Sequence, residues 1–316
     1  MTMKYVAASR GSKLALRQTG LVIDELTGIR PTDQFEIISI KTKGDVDPRP
    51  LFSMDRKGLF EKEVNDSVLN RHADFGVHSL KDIPTDLHPD LFIAAVPKRA
   101  KPNDVVVSKK KVKLATLTKG SKVGTSSLRR AIQILQRNPS LDVVPIRGNV
   151  ETRINKSLNG IFDAVVLAEA GLIRLGMQDV IVERLDVRNF LPAPGQGAMA
   201  IICRRDNLKM VTLLQKIEHK PSRRCVEAER ALMRGINAGC RFPVGALAEH
   251  SNQAKTIQLS VKAMSTDRKK SIKMKLTGKA SNPTQLGYEA SRWLIQNGIE
   301  DIASGWRDAL NSWNII

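Results

Sequence analysis

Apolar and polar positions along this chain follow two periods, and the period switches repeatedly through about the first two hundred residues. Tyr5 to Ala8 reads as a short strand and Lys13 to Thr27 as a helix. Phe35 to Ile40 is β-rich, and Leu59 to Asn70 is helical with Leu59, Phe60, Val64 and Val68 as its apolar stripe. Phe75 to His78 is another short strand, and Val105 to Val107 is strand-like. Lys122-Val123 ends a strand before a helix over Leu128 to Arg137, and Val143 to Ile146 is followed by a helix over Glu151 to Asn159. This alternation predicts α/β layers. Pro97 to Pro102 and Leu191 to Gly197 look like crossings between lobes, so two lobes around a cleft are expected. Beyond Pro221 the pattern changes to a helix over Ser222 to Gly235, β-rich runs over Ile257 to Met264 and Ile272 to Leu276, and helices from Thr284 and Ile299, which predicts a smaller α+β domain.

The polar residues that interrupt these periods collect at strand ends, where open α/β sheets gather ligands. Thr125-Ser126-Ser127 falls at the N-terminus of the helix that carries Arg129 and Arg130, and free backbone N–H groups there attract anions. Arg147-Gly148-Asn149 and Arg153 repeat the arrangement at the next strand-to-helix junction. Arg10-Gly11-Ser12 adds a guanidinium and a hydroxyl after the first strand. Arginine forks bind carboxylates bidentately, so these groups suit a ligand bearing several carboxylates. The run His78-Ser79-Leu80-Lys81-Asp82 packs an imidazole, a hydroxyl, an ammonium and a carboxylate into five residues. Taken alone it reads first as a turn with a local Lys–Asp pair, and second as a catalytic cluster. Gly239-Cys240 beside Arg241 is open in the same way, since a neighbouring cation favours the thiolate, while an isolated cysteine is more often buried and inert.

Composition narrows the function classes. The net charge of +19 is uneven: residues 1–100 carry 15 basic and 14 acidic side chains, residues 101–220 carry 21 and 10, and residues 221–316 carry 15 and 8. The excess suits nucleic acid, an anionic surface or a small polyanion, but aromatics make up only 4% of residues, which argues against a stacking platform for single strands. The lysines from Lys109 to Lys113 read as a solvated loop. Nowhere do about 18 apolar residues run together, and the first residues lead straight into a strand, so a cytoplasmic protein without membrane or nucleic-acid partners is expected. Three cysteines, Cys203, Cys225 and Cys240, lack the close spacing of metal or redox pairs, and no metal site is expected.

These segments together resemble the porphobilinogen deaminase family end to end. The resemblance rests on Ala8 to Ser12 with Leu14-Ala15-Leu16, Lys57 to Phe60, His78 to Pro84, Gly124 to Arg130, Arg147 to Val150, Pro194 to Ala198, and Gly239-Cys240 with Pro243-Val244-Gly245. It implies two lobes like a type II periplasmic binding protein around a cleft, with a third domain carrying the cysteine. The expected boundaries are 1–97 with 198–218, 98–197, and 219–316. It implies a monomeric transferase that condenses four porphobilinogen molecules head to tail, with loss of ammonia, into hydroxymethylbilane, on a dipyrromethane cofactor held by a thioether. By position the attachment point is Cys240 and the catalytic acid–base is Asp82. Ser79, Lys81, Thr125, Ser127, Arg129, Arg130 and Arg147 would bind the cofactor; Arg10, Ser12, Phe60, Ser126, Arg153, Arg174 and Gln196 would bind substrate. The segment Phe52 to Arg56 lacks the glycines common in the family, and Ala238 stands where a second glycine is expected. A non-enzymatic two-lobed protein for anionic small molecules is the alternative, which leaves Asp82 and Cys240 without a task.

Overall fold

A computed structural model describes residues 2–46, 60–237, 242–303, 305, 306 and 309 of the chain. In chain order its elements are β1 (Lys4–Arg10), α1 (Lys13–Ile29), β2 (Gln34–Ile40), α2 (Lys43–Val46), α3 (Lys62–Leu69), β3 (Phe75–Ser79), β4 (Leu91–Ala95), β5 (Asp104–Val107), β6 (Lys122–Gly124), α4 (Leu128–Arg137) and β7 (Asp142–Val144). There follow α5 (Val150–Leu158), β8 (Ala164–Ala168), α6 (Glu169–Arg174), β9 (Ile181–Arg184), β10 (Met199–Arg204), α7 (Leu208–Leu214), α8 (Lys220–Gly235), β11 (Val244–Ser251), β12 (Thr256–Met264), β13 (Ser271–Lys279), α9 (Pro283–Gln296) and α10 (Ile299–Ala303). The α4 helix spans the range that its periodicity predicts. The strand expected to run to Ile146 ends instead at Val144, because Ile146 hydrogen-bonds the Ser126 hydroxyl rather than a neighbouring strand. Leu59 and the segment 52–56 lie outside the described residues, as do Ala238, Gly239, Cys240 and Arg241.

The chain divides into two compact units, residues 1–48 with 55–100 and 197–223, and residues 49–54 with 101–196 and 224–316. The first contains a five-stranded sheet in the order β2-β1-β3-β10-β4, with β1 parallel to β2 and β3, and β10 antiparallel to β3 and β4. Phe75, Val77 and Ile201 of this sheet pack with Val22 and Leu26 of α1 and Met210 and Leu214 of α7, all buried. The second unit repeats the plan in the order β7-β6-β8-β5-β9, where β5 is the strand antiparallel to its neighbours. Val106 and Val123 bury one face of that sheet against Ile132 and Leu135 of α4, and Val105, Val107 and Val165 bury the other against Ile154 and Leu172. The α/β layers predicted from the alternating periods are therefore present in both units.

The same second unit also holds the antiparallel sheet β11-β12-β13, covered on one face by α8 and α9 through Leu232, Leu259, Val261, Leu286 and Leu294. The crossing at Leu191 to Gln196 is fastened to this sheet. Pro192 accepts a hydrogen bond from Ala246 N–H at 3.0 Å, and the buried Glu229 carboxylate accepts from Ala248 N–H at 2.8 Å and from Gly195 N–H. Gly245 permits the approach, since a Cβ there would lie 2.6 Å from Leu191 Cβ and 2.8 Å from the Leu191 carbonyl oxygen.

One buried cation ties α4 to this sheet. Lys262 of β12 is 8% exposed, its Nζ donates to Gln136 Oε1 at 2.6 Å, and Lys273 stands directly opposite on β13. Burial and then the Lys273 charge push its pKa from 10.5 down to about 8. Between these values the unfolded chain holds a proton that the folded chain has released, so stability rises with pH through that window. In urea melts the wild type is expected to gain stability from pH 8 to 10 relative to Lys262→Met, and parallel pH profiles would show that the ammonium carries no such strain.

Candidate active site

In the first unit the C-terminal ends of the parallel strands β1 and β3 lie at one edge of the sheet. The chain leaves β1 at Arg10, turns through Gly11, and enters α1 under a cap in which Ser12 Oγ accepts from Ala15 N–H at 3.3 Å. The Arg10 guanidinium lies over the Phe60 ring, 4.3 Å from its centroid, which fixes a cation that is only half buried. At the end of β3, Ser79 Oγ meets the amide of Gln18 at 3.0 Å. A single 3₁₀ turn over Leu80–Asp82 follows, with Leu80 anchored in the core, Lys81 half buried and the Asp82 side chain exposed. Arg10, Ser12, Phe60, Ser79, Lys81 and Asp82 thus share one unit.

His78 is a different case. It is buried in β3, and burial followed by the Arg10 charge lowers its pKa to about 3. The imidazole is neutral at pH 7, and its buried Nε2 has no hydrogen-bond partner among the described residues. An imidazole held in this way has no proton to give near pH 7.

In the second unit β6, β7 and β8 run parallel, and their C-terminal ends carry the remaining groups. Thr125 N–H donates to the Val144 carbonyl at 3.0 Å, and Ser126 Oγ both donates to the Ile146 carbonyl and accepts from Ile146 N–H at 3.2 Å. These bonds sew the two strand-to-helix junctions together and set Arg147 beside the start of α4. Ser127 caps α4, and Asn149 caps α5 by accepting from Thr152 N–H at 2.8 Å. Gly148, at φ +113°, makes the turn between them, and Arg153 Nε donates to its carbonyl at 2.8 Å. Arg174 closes α6, half buried, and burial lowers its pKa to about 10.

Arg129 and Arg130 turn inward onto Asp104, a residue that motif reading missed. Asp104 is fully buried; Arg129 Nη1 lies 2.8 Å from its Oδ2, and Arg130 Nε and Nη2 lie 2.9 and 2.7 Å from its Oδ1. Burial raises its pKa, but the charges and hydrogen bonds of the two guanidiniums outweigh that and hold the carboxyl well below the usual carboxylate range. Two guanidiniums against one carboxylate leave one positive charge inside the protein. Burial also lowers the Arg129 pKa, partly opposed by Asp104, and Arg129 Nε donates to no described group. Gln196, expected to line the ligand's path, is instead fully buried: its Nε2 donates to Asp104 Oδ1 at 2.8 Å and to the Pro102 carbonyl at 2.7 Å. Two sequence signals precede these residues: an aspartate opening an otherwise all-valine strand for Asp104, and a glutamine on the apolar face of α1 for Gln18.

The other cysteines offer no reactive thiol here. Cys203 is buried and burial pushes its thiol up to about 12, and Cys225 is buried in α8.

Comparison with known proteins bears on the whole chain. The family model for the porphobilinogen deaminase, dipyromethane cofactor binding domain matches residues 6–212, and that for the porphobilinogen deaminase C-terminal domain matches residues 223–296. A probable porphobilinogen deaminase of Nitrosopumilus maritimus is 47% identical over 312 residues, covering 99% of both chains. The porphobilinogen deaminase of Thermus thermophilus is 42% identical, covering 94% of this chain and 97% of its own, and that of Brevibacillus brevis is 41% identical, covering 95% and 96%. Among solved structures the methionine binding protein MetQ is similar at a TM-score of 0.43 and 13% identity, over 68% of this chain and 88% of that one.

The neutral His78 has a measurable signature. Its pKa is 6.5 unfolded and about 3 folded, so the unfolded chain binds a proton in that window that the folded chain does not. Stability present above pH 6.5 is lost as pH falls, by up to about 1.4 kcal/mol per pH unit from this group. His78→Gln is expected to flatten the acid limb of a denaturation profile between pH 6.5 and 4; an unchanged limb would place the titrating group elsewhere.

Proposed function

The chain belongs to the porphobilinogen deaminase family, and on that premise we propose how its own residues carry the reaction. It is a transferase that condenses four porphobilinogen molecules head to tail, releasing one ammonia per unit, and frees the linear product by hydrolysis, one water supplying the hydroxyl of hydroxymethylbilane, in tetrapyrrole biosynthesis. The observation that carries the assignment of binding residues is the single uncompensated positive charge buried at Asp104, Arg129 and Arg130, with Arg129 Nε left to donate. A neutral or cationic ligand would not balance it, whereas an acetate or propionate group would.

The donor set fits a dipyrromethane, whose side chains are carboxylates. Arg129, Arg130, Arg147 and Lys81 supply cations; Thr125 and Ser127 supply hydroxyls that accept from backbone N–H groups and retain an O–H to donate, and Ser79, whose hydroxyl meets the Gln18 amide, supplies a third. Cys240, outside the described residues, holds the group through a thioether. When bound, the group supplies the pyrrole α-carbon from which the chain grows. Arg10, Ser12, Ser126, Arg153 and Arg174 bind the carboxylates of substrate, and Phe60 holds Arg10 in place. Gln196 acts behind them, through Asp104 and Arg130.

Each addition breaks the aminomethyl C–N bond of one porphobilinogen, forms one C–C bond and removes one proton from a pyrrole α-carbon. Asp82 gives a proton to the departing amine, its anion faces the pyrrolic cation that develops, and it recovers a proton from the α-carbon, so the residue ends each cycle as it began. Its exposed position at the end of a tight turn leaves it open to successive units. The reading extends to a monomer working in the cytoplasm on a small molecule, with no nucleic acid or membrane partner; no described helix is long and apolar enough to cross a membrane.

Intact mass tests the attachment: Cys240→Ser is expected to give a folded chain at its unmodified mass, because a hydroxyl is a far poorer nucleophile than a thiol, while Cys203→Ser and Cys225→Ser keep the adduct. An adduct on either of those two residues would refute the assignment. For Asp82→Asn loaded with cofactor, ammonia release is expected to fall by roughly two to four orders of magnitude, with Asp82→Glu less affected. Wild-type turnover in Asp82→Asn would sink the proton-transfer role.

A further inference from the structure

Asp104 belongs to none of the motifs that carry the family resemblance, yet three groups proposed for ligand binding meet at its carboxylate. Arg129 and Arg130 occupy consecutive positions in the first turn of α4. Consecutive helical side chains diverge by about 100°, so their convergence is imposed by the carboxylate and not by the helix. The donors are shared unequally. Arg130 spends its Nε and Nη2 edge on Oδ1 and gives Nη1 to the Val166 carbonyl at 3.2 Å. Arg129 reaches Oδ2 through Nη1 alone, the same nitrogen that donates to the Leu191 carbonyl at 2.6 Å. Its Nε is buried and undonated among the described residues, and Asp104 Oδ2 pairs with Nη1 by proximity without an aligned hydrogen bond. A guanidinium edge with two parallel N–H groups matches one carboxylate. Asp104 therefore closes the Nε fork of Arg130 and holds Arg129 by the opposite end, so that the Nε fork of Arg129 is the one left over.

We infer that Asp104 is a positioning residue that selects which guanidinium edge meets a ligand carboxylate and, by cancelling one of two buried charges, limits the pair to one carboxylate at a time. This rests on the reading of Arg129 and Arg130 as carboxylate-binding groups. A counter-ion with a purely structural role would change stability alone, whereas a positioning role changes what the pair binds.

The test uses the full chain with Asp104→Asn and Asp104→Glu, read by intact mass as purified and by thermal shift against citrate. Asp104→Asn is expected to bind citrate about tenfold more tightly, since two guanidiniums then lack a counter-charge, while the fraction of chains carrying the cofactor falls about tenfold because the forks are no longer aimed. Asp104→Glu, which restores the charge, recovers most of the adduct. Wild-type citrate affinity and wild-type adduct in Asp104→Asn, with only a lowered melting temperature, would overturn the inference. Should Asp104→Asn fail to fold, Gln196→Leu removes the amide that donates to Oδ1 without unpairing a charge, and it is expected to move both readouts the same way by a smaller factor; no movement there overturns the inference equally. A wild-type chain at unmodified mass would instead sink the cofactor reading, and the citrate titration would still decide the role of Asp104.

Discussion

The buried carboxylate of Asp104 is the constraint on which the arrangement of the second unit turns. It opens β5, receives two guanidiniums from α4, and takes a hydrogen bond from Gln196 of the crossing segment, so one strand, one helix and one linker are located by a single charge. Such a cluster is costly. Removing three charges from water costs several kcal/mol per ion, and their mutual attraction inside the protein repays this only when the geometry is close and every hydrogen bond is met. The contacts to Asp104 are close, and the deficit falls on Arg129 Nε and on Asp104 Oδ2, which sits 2.8 Å from Arg129 Nη1 without an aligned hydrogen bond. Replacing such a cluster by apolar side chains of the same volume is often neutral or stabilising, so its burial is weak evidence for a contribution to stability.

The Leu191 backbone shows how the placement of these guanidiniums spreads. Its carbonyl accepts from Arg129 and from Gln133, its N–H donates to Gln133, and the next residue accepts from Ala246 of the C-terminal sheet. Glu229 fixes the same segment at Gly195 while holding Ala248. The linker is thus bound on one side to the helix that carries the arginines and on the other to the sheet that carries Lys262. Loops fastened by this many backbone bonds behave as part of the rigid scaffold, and a site built on them keeps its geometry.

Hydroxyl groups in both units do two things at once. Ser12 and Ser127 cap helices with an oxygen lone pair, and Ser126 joins two junctions, so each is oriented before any ligand arrives. Ser12 and Ser127, which accept from the backbone, still have a proton to give, whereas Ser126 spends its own on the Ile146 carbonyl. The positive ends of α1, α4 and α5 lie at the same strand ends as the basic side chains, which adds the helix dipoles to the charge of the arginines. Burial holds the His78 imidazole neutral and the Cys203 thiol protonated.

The sequence alone determined the local order. Periodicity located α1, α4, α5, β1 and β3 because each buries one face, and burial of a face writes its period into the chain. The strand-end motifs located Arg10, Ser79, Asp82, Thr125 and Arg147, because glycine turns and capping hydroxyls are short-range devices. The roles of Gln18, Asp104 and Gln196 were not legible. Their partners lie 61, 26 and 92 residues away along the chain for the bonds Gln18 to Ser79, Arg130 to Asp104 and Gln196 to Asp104, so no window of sequence contains both ends. Only the tertiary structure decides that His78 is neutral and that two neighbouring arginines face inward, since both depend on desolvation and on the distance to a charge supplied by another element.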